Sequence, residues 1–240
     1  MFIFVIGCSE RPSQKMTNIQ TAIEEIRAEL PQGVRLIAVS KTHPTSLIQE
    51  AYEIGQRDFG ENKVQEMTVK WQELPKDIRW HLIGHLQTNK VKFIAPYVYM
   101  IHSIDSPKLI KTVEKEAAKA GRTIKCLLQV HVAQEETKFG FPPNELKEYL
   151  ESGAYKNLSH VEICGLMAMA TNTTDSDEVE KEFDAAHQMF TDFKKRYFND
   201  DDSFSELSMG MSGDYDKAVR HGSTYVRIGS RIFGQRDYSK

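Results

Sequence analysis

Residues 36–44 read Leu36-Ile37-Ala38-Val39-Ser40-Lys41-Thr42-His43-Pro44. Four apolar residues in a row, without polar alternation, describe a strand covered on both faces, as in a parallel sheet. The run closes on a lysine, and burying an ammonium without a partner is costly. The same burial lowers a lysine's pKa and makes it a Schiff-base nucleophile. Position alone leaves two readings of Lys41 open: a buried nucleophile at a strand end, or a group already past the strand and in water.

Comparable apolar runs follow at residues 57–62, 80–85, 99–105, 124–132, 160–169, 206–211 and 225–230, making eight with the run at 36–41. Amphipathic stretches separate them, at 45–54, 64–74, 88–94, 107–120, 143–150, 177–197 and 214–221, and a further helix at 18–30 precedes the first run. Gly121 reads as a helix stop, the prolines at 142 and 143 as a first helical turn, and Asp214 as an N-cap. Eight strands alternating with helices predict a single (β/α)8 barrel, since eight regular units exceed a usual open sheet. An open doubly wound sheet is the alternative.

Bulk properties narrow the function. The chain has 240 residues, 40% hydrophobic and 27% charged, and 31 basic against 34 acidic residues give a net charge of −3. That charge offers no broad attraction to nucleic acid or anionic membranes, so neither is expected as a partner. No segment reaches the ~20 apolar residues that a membrane span needs. Cys8, Cys126 and Cys164 match no metal or disulfide spacing, and the last two sit in apolar runs. A reduced, cytoplasmic setting is expected. Residues 1–15 read as an N-terminal extension outside the domain, with Met16 as the start and 16–240 as the barrel.

Barrel enzymes keep their chemistry at the C-terminal strand ends. The seventh run continues into Ser212-Gly213-Asp214 and the eighth into Gly229-Ser230, ahead of helix starts where amides favour an anion. Together they suggest a phosphate cup. Arg227 shares a strand face with Gly229. Asn62 and His85 end the second and third runs, and Met167 lies in the sixth. His81, His102, His131 and His160 show no metal-ligand spacing.

Several stretches resemble the pyridoxal phosphate homeostasis protein family. They are Ala38-Val39-Ser40-Lys41-Thr42, Phe59-Gly60-Glu61-Asn62, Trp80-His81-Leu82-Ile83-Gly84-His85, Gly165-Leu166-Met167, Leu207-Ser208-Met209-Gly210-Met211-Ser212 and Val226-Arg227-Ile228-Gly229-Ser230-Arg231. The resemblance runs from about residue 18 to the end. It implies a fold-type III barrel like the N-terminal domain of alanine racemase, with pyridoxal 5′-phosphate (PLP) on Lys41. It implies phosphate around Ser212, Gly229 and Ser230, the pyridine nitrogen facing Arg227, and Asn62, His85 and Met167 lining the pocket. An arginine there would keep the nitrogen unprotonated and weaken PLP as an electron sink. Lys63 departs from the tyrosine common at its position.

Alanine racemase carries a second, β-rich domain with a catalytic tyrosine supplied across a dimer. The sequence ends at Lys240, shortly after Gly234, so no such domain is expected, and with it no dimer and no two-base proton transfer. The resemblance therefore implies a monomeric PLP carrier and buffer, not an enzyme, that hands PLP to apo-enzymes. A weak racemase using Lys41 as sole base, and a PLP-free Schiff-base lyase of aldolase type, are the alternatives.

Overall fold

Residues 17–133 and 139–235 are described in the computed structural model. The extension at 1–15, the start at Met16 and Cys8 lie outside them. The chain begins with α1 (Asn18–Glu29), capped by the Thr17 hydroxyl, which accepts from the Gln20 amide at 3.1 Å. Strands and helices then alternate: β1 (Arg35–Val39), α2 (Thr45–Glu53), β2 (Asp58–Glu61), α3 (Val64–Glu73), β3 (Arg79–Leu82), α4 (Val91–Ile94), β4 (Met100–Ile104), α5 (Pro107–Lys119), β5 (Ile124–Gln129), α6 (Pro143–Glu151), β6 (Val161–Met167), α7 (Ser176–Tyr197), β7 (Glu206–Met211), α8 (Tyr215–Arg220), β8 (Tyr225–Ile228) and α9 (Ser230–Phe233). Each strand pairs in parallel with the next, and β8 returns to β1 with Arg35 opposite Tyr225 and Ile37 opposite Arg227. The sheet is a closed barrel, and the open doubly wound alternative falls.

Alternation along each strand divides the core. Outward residues such as Ala38, Phe59, Trp80, Leu82, Leu207 and Val226 join a continuous cluster with the helices, including Ile23 and Ile26 of α1 and Phe183 of α7. Burying each of the larger aliphatic or phenylalanine side chains contributes about 1.5–3 kcal/mol. Inward residues Ile37, Met100, Leu127, Cys164, Met167 and Tyr225 form a second, smaller cluster inside the barrel. Burial pushes the Cys126 thiol well up and that of Cys164 to about 12, so both are inert core thiols.

Helix ends follow their caps. The Ser106 hydroxyl accepts from the Leu109 amide at 3.3 Å ahead of Pro107, and Gly121 takes φ +64° after α5. On α7, the Asp175 carboxylate accepts from the amides of Asp177 and Glu178 at 3.0 and 3.2 Å.

The structure departs from the expected elements in a few places. The stretch 88–94 divides into a 3-10 turn, Thr88–Lys90, and the single turn α4, which stops ahead of Pro96, a residue with no N–H to extend the helical ladder. Runs three, five and six end earlier than expected, at Leu82, Gln129 and Met167. Asp214 does precede α8, but its carboxylate accepts from the Met211 amide at 2.5 Å and makes no cap bond to the helix. Ser230 opens α9 instead of ending a strand, because β8 stops at Ile228.

Candidate functional site

Lys41 lies two residues past β1, half-buried, in the turn that leaves the C-terminal end of the barrel. It is therefore beyond the strand but not fully in water. Its neighbours on both sides are tied down. Thr42 has φ +67°, the one positive φ at a non-glycine residue among those described. Its amide donates to Glu66 Oε1 at 2.5 Å. The Lys70 ammonium of α3 donates to the same Glu66 oxygen at 2.7 Å, to Glu61 Oε1 at 2.8 Å and to the Ser40 carbonyl at 2.8 Å. The Ser40 hydroxyl donates to Glu61 Oε1 at 2.6 Å. The side chain of Lys70 is 6% exposed and that of Glu61 0%. Burial raises the Glu61 carboxyl to about 7 against the pull of Lys70. Its Oε2 has no hydrogen-bond partner among the described residues. This network spans Ser40 to Glu66 and fixes the backbone that carries Lys41.

The ends of β7 and β8 meet beside that turn. The Gly229 amide donates to the Ser212 hydroxyl at 3.3 Å. A Cβ on Gly229 would stand 2.9 Å from the Val39 carbonyl and 3.2 Å from Val39 Cβ, so only glycine lets β8 approach β1 this closely. Ser230 is exposed at the start of α9. Ser212, Gly229 and Ser230 thus gather hydroxyl and amide donors two residues from Lys41 along β1. Burial raises the carboxyl of the nearby Asp214.

Arg227 is buried inside the barrel. It donates to the Ser208 hydroxyl at 2.7 Å and to the Ala168 carbonyl at 3.0 Å. Burial lowers its guanidinium to about 10, which leaves it charged at neutral pH. Below it, Ser208 meets His102 Nδ1 at 3.0 Å, His102 Nε2 meets His81 Nδ1 at 2.9 Å, and His81 Nε2 meets Asp58 at 2.9 Å. Arg79 donates to both Asp58 oxygens, at 2.7 and 2.5 Å. Burial would raise the Asp58 carboxyl, but the bonds from Arg79 and His81 outweigh it and hold the group well below the carboxylate range. Burial pushes both histidines down, His102 furthest.

The remaining candidates divide. Met167 ends β6 inside the barrel, in the inner cluster. Asn62 follows β2 and is partly exposed. Its backbone lies where a Cβ on Gly84 would be, 2.5 Å from the Asn62 carbonyl. His85 is exposed, paired with Asp105 at 3.0 Å and stacked on Phe139 with ring centroids 3.8 Å apart. It sits on the mouth side but spends its ring on these partners. Lys63 is exposed just before α3.

Two groups escape a reading by motif. Lys70 falls on the apolar stripe Val64, Met67, Leu74, and a lysine on a buried stripe was itself a signal. His81, His102 and Ser208 are polar residues flanked by outward apolar ones, such as Trp80 and Leu82, and inward parity could have found them.

An arrangement of one amine, clustered amide and hydroxyl donors, and a buried guanidinium suits a small anionic ligand bearing a carbonyl. The family model for the N-terminal domain of alanine racemase matches residues 15–237. The pyridoxal phosphate homeostasis protein of Pasteurella multocida is 37% identical over 232 residues, 95% of this chain and 97% of that one. The human protein of the same name is 39% identical over 246 residues, covering 98% and 88%. The structure of PipY from Synechococcus elongatus with PLP bound matches with TM-score 0.82 and 38% identity, over 90% of this chain and 100% of that one. Alanine racemase of Clostridium difficile shares the fold at TM-score 0.75 with 13% identity, over 60% of its own length. The chain belongs to the pyridoxal phosphate homeostasis protein family and carries the barrel of the alanine racemase N-terminal domain.

Proposed function

We propose that this chain binds PLP as a Schiff base on Lys41 and acts as an intracellular carrier and buffer of that cofactor. The observation that carries the reading is the convergence of three strand ends on one point of the mouth. The β1 turn brings an amine, the β7–β8 ends bring Ser212 and the Gly229 amide, and Arg227 stands buried on the inner face. PipY, a relative of like length, has been seen with PLP.

The residues fit the group by their chemistry. A phosphate accepts hydrogen bonds, and Ser212, Gly229 and Ser230 offer donors. The Gly229 amide now donates to Ser212, a bond that a phosphate oxygen could replace. A pyridine nitrogen facing Arg227 meets a donor with no acceptor of its own, which keeps that nitrogen unprotonated. PLP, when bound, supplies an aldehyde that forms a reversible covalent link to an amine. The chain's own residues then hold and orient it. Glu61, Glu66 and Lys70 keep the Lys41 turn in one conformation, Arg227 stays charged beneath, and Met167 provides an apolar contact inside the barrel. Asn62 and His85 belong to the rim of the same pocket. A monomer that passes PLP to apo-enzymes completes the reading.

Purified protein mixed with PLP should gain absorbance near roughly 420 nm, and Lys41→Ala should lose it. Borohydride trapping should leave the label on the peptide containing Lys41. A wild-type protein that takes up no PLP would overturn the reading. The second reading, a weak racemase, is tested by chiral analysis of amino acids incubated with the loaded protein. Turnover at roughly 1 per second or faster would replace the carrier by an enzyme.

A further inference from the structure

The interior of this barrel carries a polar strap where such barrels are filled by bulky apolar layers. It starts at Asp58 on β2, passes through His81 on β3 and His102 on β4, crosses to Ser208 on β7 and ends at Arg227 on β8. All four links lie between 2.7 and 3.0 Å. His81, His102 and Ser208 have no solvent exposure, and Arg227 has 4%.

The two ends of the strap fix its direction. Asp58 is held as a carboxylate by two bonds from Arg79, so it only accepts. His81 must therefore donate through Nε2, and a neutral His81 then accepts at Nδ1. His102 donates to it through Nε2 and accepts at its own Nδ1. The Ser208 hydroxyl donates there, which leaves its oxygen to accept from Arg227, a group with donors only. Every donor and acceptor on the path is used once. Were either ring doubly protonated, His102 Nδ1 or its neighbour would present a second hydrogen. The proton of Ser208 would then lose its acceptor. The surroundings agree. Arg79, Arg35 and Arg227 face the pair with positive charge, Asp58 opposes them, and the rings of Tyr99 and Tyr225 close the sides.

We propose that His81 and His102 are positioning residues: a neutral, one-way hydrogen-bond relay that holds Ser208 and, through it, aims Arg227 at the ligand ring in the barrel mouth. The aiming half rests on the PLP reading above, and the relay half does not. Arg227 donates hydrogen bonds to the Ser208 hydroxyl and to the Ala168 carbonyl. Removing the first leaves its guanidinium plane free to turn about the second. The relay thus ties the floor of the barrel, where Arg79 is open to solvent, to the group that faces the cofactor.

The relay is tested in the ligand-free protein by long-range 1H–15N correlation of 15N-labelled histidines. Both rings should be neutral with the proton on Nε2, and should stay so from about pH 5 to about pH 8, a range in which an ordinary histidine titrates. A doubly protonated ring, or a proton on Nδ1 of either residue, would overturn the relay. Ser208→Ala should weaken PLP affinity about tenfold, the loss expected for one hydrogen bond to a charged group, while His81 keeps its tautomer. His102→Phe should do the same. His102→Gln, which restores one acceptor and one donor, should recover most of the affinity. Ser208→Ala binding PLP as tightly as wild type would overturn the aiming role, even where His102→Phe fails to fold. Wild type that gains no 420 nm band sinks the PLP reading instead, and the histidine spectrum still decides the relay.

Discussion

Thr42 adopts a backbone conformation that costs a β-branched residue on the order of 1–2 kcal/mol. Its amide gains the Glu66 carboxylate in return, and the chain turns away sharply just after Lys41. Glu61 sets a second condition on that turn. Its folded pKa stands near 7, against 4.5 for the free group. Between those values the fold holds a proton that the unfolded chain has shed. The contribution to stability is therefore full below about 4.5 and declines as pH rises through 7. Glu61→Gln keeps the shape and cannot titrate. The melting temperature of wild type relative to Glu61→Gln should fall from about pH 5 to about pH 8 and level off above. A difference independent of pH would show that burial does not shift Glu61. At this scale the sequence was partly readable. Lys41, Arg227, Ser212 and Gly229 stand in recognisable runs. Glu61 stood in a quoted motif without a role, because nothing local says that Lys70, nine residues on, returns to it.

Among the elements, β6 and β7 show how a strand pair can depend on one hydrogen atom. Gly165 has φ +150°, and a Cβ there would lie 1.8 Å from the Glu206 carbonyl. The register between β5 and β6 also shifts at this point, between Cys126 and Leu127. Gly165→Ala must push β7 away or break the bulge, and should cost about 3 kcal/mol, within the range for overpacking plus backbone strain. Urea titration would measure it, and a loss under about 0.5 kcal/mol, that of an ordinary surface change, would contradict the packing. On α3, Lys70→Met should cost about 3 kcal/mol, because Glu61, Glu66 and the Ser40 carbonyl lose their shared buried donor. Substitution of a distant exposed lysine such as Lys115 is the control. The eight strands were legible, since apolar runs without alternation mark doubly covered strands, whereas the short helix α9 was not read. Element ends were less so. Ser230 reads as a strand end because the apolar run continues through Gly229, whereas β8 stops at Ile228 and Gly229 caps α9. The 88–94 stretch reads as one helix although Pro96 limits it to a single turn.

At the scale of the whole molecule, one outer core runs from α1 to α9, and the inner cluster sits within the ring it surrounds. Glu29 of α1 accepts from Arg231 of α9 at 2.5 and 2.8 Å, and Tyr215 of α8 joins them. First and last helices are thus pinned across the β1–β8 seam. Such a body should unfold as a unit. Trp80, buried on β3, and Trp71, stacked on Tyr97 at 4.3 Å, should report the same midpoint as far-ultraviolet circular dichroism in urea. Separated midpoints would reveal a seam the core does not show. The barrel itself was readable from the count of eight units. The polar strap was not, because its five residues come from five strands and meet only when the ring closes.

That closure has a temporal side. Lys41 follows the first strand, whereas Arg227, Gly229 and Ser230 come from the last strand and the turn after it. During synthesis the amine emerges early and waits for nearly the whole chain to be made. Non-local pairings of this kind form late and slowly. A growing chain therefore carries Lys41 long before Arg227 and Gly229 exist to stand near it, and the proposed site assembles in a single step, when the final strand slides in beside the first.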